Sequence, residues 1–88
     1  FSEMGRAAMA TGVLDPKAKE LIALAVGVAA RCDGCIGFHT KALARLGAST
    51  EEVHEALGVA IYMGGGPVAM YAANAVAAFD EFASAPQA

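Results

Sequence analysis

The 88-residue chain has room for one domain, and 57% of its residues are apolar before its ten glycines are counted. A domain this small hides only a little over about 60% of its unfolded surface, so the apolar surplus needs an outlet in a membrane or in other copies of the chain. The net charge is −3, and Lys17, Lys19, Arg31, Lys41 and Arg45 are scattered, which leaves no electrostatic footprint for a nucleic-acid partner.

The chain reads as one all-α domain of about five helices, because its alanine- and leucine-rich stretches carry no period-2 strand pattern. Phe1 to Ala10 reads as a helix, or the end of one, closed by Thr11-Gly12. Asp15-Pro16 starts the next: aspartate accepts backbone N–H groups at an N-cap, and proline is tolerated in the first turn. This helix is expected from Pro16 to about Ala30, with Leu21, Leu24, Ala25 and Val28 as its apolar face and Ile22 and Val26 widening it. Asp33-Gly34 marks a turn and a new helix start, carrying Cys35 to Leu46, with Gly47 as the stop. Ser49 and Glu52 have the spacing of a capping box, opening a helix to about Met63. Gly64-Gly65-Gly66 reads as a tight turn. It lacks the lysine and spacing of a phosphate-binding loop. Pro67 opens a last helix through about Phe82, and the tail from Ser84 to Ala88 is expected to be loose. The core of the domain is therefore about residues 14–82.

Residues 56–79 carry no charge and are long enough to span a bilayer. Three glycines and Pro67 sit in the middle, however, and would leave backbone groups unpaired in lipid. No membrane partner is expected, and self-association is the better outlet for the apolar surplus. No signal or transit peptide is visible, and two neighbouring cysteines make no secreted disulfide framework. A cytoplasmic setting is the expectation, where a close cysteine pair is more often catalytic or metal-binding than structural.

Cys32 and Cys35 lie three apart, so their sulfurs can meet across one helical turn. At a helix N-terminus, unpaired N–H groups and the positive end of the dipole favour thiolate, which is the nucleophile. His39 follows Cys35 by four and Cys32 by seven, spacings that share one helix face. The imidazole can therefore take a thiol proton or deliver one to a leaving oxygen. Glu20 opens an apolar helix, where an inward carboxylate is costly without a partner. It either faces water in the first turn or orients His39. Two rival readings use the same residues. Cys32, Cys35 and His39, with Glu20 or His54, form a cramped zinc set; alternatively, the pair is a non-enzymatic redox sensor in an oligomer. His54, among Glu51, Glu52 and Glu55, reads as a surface residue.

Glu20, twelve residues before Cys32, together with the run from Ala30 through Cys32, Cys35 and His39, resembles the core motif of the alkylhydroperoxidase D-like proteins. These belong to the carboxymuconolactone decarboxylase superfamily. The Gly64-Gly65-Gly66-Pro67 stretch is also similar, and the resemblance spans roughly residues 14–82. It implies an all-helical fold assembling into trimers or hexamers, and a peroxidase activity that needs no bound cofactor. The implied partners are a hydroperoxide substrate and a dithiol reductant, either a lipoyl protein or a thioredoxin-like donor. In the family the second cysteine is usually taken as the one that attacks peroxide. Carried over, Cys35 attacks, Cys32 resolves, and His39 and Glu20 relay protons. The helix-start argument by itself favours Cys32 equally. Some peroxidases of the family carry a histidine immediately before the second cysteine; Gly34 stands there in this chain, so the relay is one group shorter. The superfamily's decarboxylases generally lack the cysteine pair, which argues against lactone decarboxylation.

Overall fold

A computed structural model describes residues 1–85. It contains α1 (Ser2–Met9), α2 (Pro16–Ala29), α3 (Asp33–Arg45), α4 (Thr50–Gly64) and α5 (Gly66–Ser84), and no strand among the described residues. The all-α reading holds, and the helix starts lie where side chains satisfy the first N–H groups. Asp15 accepts the Ala18 N–H at 2.7 Å, ahead of Pro16. At α4, Ser49 Oγ accepts from Glu52 N at 3.0 Å, and Ser49 N donates back to Glu52 Oε1 at 2.8 Å, completing the capping box. The other Glu52 oxygen meets Lys17 Nζ at 2.8 Å, joining the first turns of α2 and α4. That hydrogen-bonded pair holds the Glu52 carboxyl below its ordinary range and raises Lys17 above its own.

Two ends differ from the expected boundaries. The first helix stops at Met9, with Ala10 extended. Lys19, rather than Gly12, closes it by donating to the Ala8 and Ala10 carbonyls at 2.8 and 2.7 Å. A cation at a helix C-terminus satisfies orphan carbonyls and suits the dipole. Ser84 is not part of a loose tail. It is the last residue of α5, and its Oγ donates to the Asp80 carbonyl at 2.7 Å. Ala85 is the extended C-cap of α5, and the remainder of the expected tail, Pro86 to Ala88, lies outside the described residues.

Four helices share one core. Val53, Leu57 and Ala60 of α4 recur at spacings of four and three, as do Val68, Ala72, Ala75 and Phe79 of α5. Each set makes a single apolar stripe, and the stripes close on Leu24 and Val28 of α2 and Ile36 and Leu43 of α3. Thr40 is buried among them with its hydroxyl bonded to the Ile36 carbonyl at 2.6 Å, so no polar group is left unsatisfied there. Gly65, at φ 81°, turns α4 into α5 within one residue, a conformation that glycine adopts without a steric penalty. The α1 helix contributes no buried residue.

The apolar surplus stays outside this core. Ile22, Val26, Phe38, Tyr62, Met63 and Met70 are all more than half exposed. No helix among the described residues is long and apolar enough to cross a membrane.

Candidate active site

The site is built where α2 hands over to α3. The Cys32 N–H donates to the Gly27 carbonyl at 2.9 Å and the Arg31 N–H to the Val28 carbonyl at 3.0 Å. This is a Schellman closure, which requires a left-handed residue. Arg31 fills it at φ 58°, a position where glycine would be relaxed. The chain reverses there, and Cys32 becomes the N-cap of α3, its Sγ accepting the Cys35 N–H at 3.2 Å. Both cysteines therefore sit at the positive end of α3. Their Cα atoms are 5.2 Å apart, and the sulfurs are joined as a disulfide, a separation ordinary for such a bond.

Gly27 makes the handover tight. A Cβ there would lie 2.7 Å from the Cys35 Cβ, closer than real carbon atoms approach. The end of α2 thus presses against the cysteine turn of α3 through a bare backbone. We expect Gly27→Ala to destabilise the fold by up to about 2 kcal/mol net, because overpacking of about 1–3 kcal/mol outweighs the helix-propensity gain of about 1 kcal/mol. The corresponding loss of melting temperature is up to about 10 °C, measurable by circular dichroism. A melting temperature at or above the parent's would show that the contact is slack.

His39 lies one turn beyond Cys35, and α2 brings Glu20 against it. The Nδ1–H of His39 donates to Glu20 Oε1 at 2.6 Å, with the two side chains 27% and 15% exposed. The carboxylate fixes the ring and its tautomer, leaving Nε2 as the nitrogen available to take or give a proton. Glu20, Cys32, Cys35 and His39 line one cleft of about 740 Å³. Gly34 is at its edge, with nothing within 4 Å of where a side chain would begin. His54 is elsewhere, exposed on α4 beside a separate groove between α4 and α5, so it cannot complete a zinc set with the cysteines. With the sulfurs joined and His39 bonded to Glu20, no three metal-ligating side chains among the described residues are arranged around a common centre.

Gly27 and Arg31 escape a reading of the sequence as helices and motifs. The available signal was a glycine interrupting an apolar helix five residues before Cys32. Its partner across the interface could not be named from it.

An all-α domain with a cysteine pair at a helix start, backed by a carboxylate-bound histidine, defines a dithiol helical protein. Residues 1–78 match the model of the carboxymuconolactone decarboxylase family, and the chain belongs to that family. The fold and cysteine pair agree with its alkylhydroperoxidase D-like members. A crystal structure of an apo family member from Legionella pneumophila is 56% identical, covers 96% of this chain and 75% of that one, and superposes with a TM-score of 0.94. A family protein from Thermotoga maritima, described as a candidate for a part in the antioxidative response, is 38% identical, with coverage of 92% and 84% and a TM-score of 0.86. An uncharacterised protein of Cupriavidus necator is 46% identical over 80 residues, which are 91% of this chain and 71% of that protein.

Proposed function

We propose that this protein is a thiol-dependent peroxidase, a dithiol oxidoreductase that reduces hydroperoxides. The observation that supports it most is the short His39–Glu20 bond set beside the Cys32–Cys35 pair in one open cleft. A carboxylate, an imidazole and a thiol in series are the parts that proton-assisted thiolate chemistry requires. The antioxidative description of the Thermotoga maritima relative points the same way.

The cycle starts from the reduced pair. His39 accepts the Cys35 proton, and the thiolate attacks the nearer peroxide oxygen. The S–O bond forms as the O–O bond breaks, and the departing alkoxide takes the proton from His39 to leave as an alcohol. Cys35 is now a sulfenic acid. The Cys32 thiol displaces its hydroxyl as water, giving the disulfide. An external dithiol, a lipoyl protein or thioredoxin-like donor, reduces the disulfide by exchange and is itself oxidised. No bound cofactor takes part. Lactone decarboxylation has no task for the cysteine pair. A cytoplasmic setting, with its reducing thiol pool, suits the cycle.

The test is an assay of hydrogen peroxide and organic hydroperoxides with dihydrolipoyl and thioredoxin-type donors. Consumption that requires both reactants is expected, and its absence with every pairing would reject the reading.

Assembly belongs to the same proposal. The exposed faces around Ile22 and Val26 of α2, and around Tyr62, Met63 and Met70 of α4 and α5, suit burial between copies of the chain. Light scattering is expected to report three or six times the 8.9 kDa chain mass. A monomer at micromolar concentration would contradict it.

A further inference from the structure

The cleft contains two groups that the thiol reaction does not use. Beyond the cysteine pair its wall continues along α3 through Phe38 and Ala42 to Lys41 and Arg45. Phe38 is 78% exposed, an aromatic ring held out over the cleft rather than in the core. Lys41 and Arg45 follow Cys35 by six and ten residues, which at the helical rise is about 9 and about 15 Å along the axis. They are four apart and so lie on one face. Both are exposed, and neither has a hydrogen bond or ion pair among the described residues. Glu20, the carboxylate lining the same cleft, is bonded to His39 and does not neutralise them. The site thus runs from a reactive sulfur, over an apolar stretch, to two cations that have no ion pair among the described residues.

We propose that this cleft binds amphipathic carboxylates, and that the preferred hydroperoxide is of the fatty-acid class. Its hydrocarbon lies on Phe38 and Ala42, and its carboxylate is held by Lys41 and the guanidinium fork of Arg45. The span from sulfur to cations sets the separation of peroxide from carboxylate at about 9–15 Å. The substrate assignment rests on the peroxidase reading, whereas the binding site does not.

Binding and turnover are therefore tested apart. The disulfide form is titrated calorimetrically with decanoate below its micellar concentration, and with uncharged decanol. The titrations are repeated at high salt and with the double variant Lys41→Gln/Arg45→Gln. Decanoate is expected to bind more tightly than decanol, with affinity falling about five- to tenfold in the double variant and weakening with salt. Decanol binding is expected to be unchanged. Equal affinity for the two, or decanoate affinity that the double variant leaves untouched, would overturn the site. Phe38→Ala is expected to weaken both ligands, and retention of both affinities would also count against it. In turnover, the double variant should raise KM for a fatty-acid hydroperoxide, with kcat retained and its methyl ester unaffected. A KM that rises equally for acid and ester would overturn the substrate class. Cation-dependent decanoate binding without consumption of any hydroperoxide would sink the peroxidase reading and its substrate assignment while leaving the site standing. Consumption without cation-dependent binding would do the reverse.

Discussion

Cys35→Ser is expected to remove peroxide consumption, by about 10³-fold or more, because the proposed cycle gives the attacking role to the cysteine one turn from His39. Cys32→Ser is expected to behave differently. It should consume about one equivalent of peroxide per chain and then stop, leaving a Cys35 sulfenic acid that a 1,3-dicarbonyl reagent traps for mass spectrometry. Both sulfurs share the positive end of α3, so the dipole does not separate them. Proximity to the imidazole does: Cys35 is one turn from His39 and Cys32 two. The Cys35 N–H that Cys32 Sγ accepts at 3.2 Å favours a Cys32 thiolate, so the assignment rests on the imidazole. The opposite pattern, with trapping at Cys32 in Cys35→Ser, would exchange the two roles.

The second large effect is expected at His39. His39→Ala removes the histidine that lines the cleft, and a positioned acid–base group contributes about 10²–10⁴-fold. The peroxide-reduction rate should fall within that range, with the disulfide still forming under oxidation. Glu20 is bonded to His39 and in the proposed cycle acts through it, so its variants should be graded. Glu20→Gln keeps an oxygen that can accept the Nδ1–H but loses the charge, and a loss of about tenfold is expected. Glu20→Ala removes the acceptor as well and leaves a largely buried N–H unsatisfied, which costs about 1–3 kcal/mol of stability. Stopped-flow rates paired with thermal melts would check both. Full activity in Glu20→Ala would mean that the carboxylate neither orients nor assists the ring.

Gly34 bears on these magnitudes. It stands beside the cleft with open space where a side chain would begin. In the proposed cycle His39 therefore has no second imidazole between the cysteines, and its removal should not be buffered by a neighbour.

The sequence by itself determined the features that arise within one helix or one turn. Asp15-Pro16 and the Ser49–Glu52 box mark helix starts because a cap needs only residues three apart. The apolar face of α2 through Leu21, Leu24, Ala25 and Val28 was legible as helical periodicity, and the cysteine pair with His39 as one face of α3, because spacing along a helix is a matter of pitch. The apolar surplus was a matter of counting, and the exposed Ile22, Val26, Tyr62 and Met63 are where it went. Periodicity left Glu20 divided between water and the interior. Only the packing of α2 against α3, which brings together residues nineteen apart, decided that it meets His39. The same crossing decided that Gly27 must lack a side chain, since the atom it would strike belongs to Cys35. It also formed the cleft in which Glu20 of α2 faces the cysteines and His39 of α3. Each of these depends on the distance and angle between helices, and no local spacing along the chain carries that information.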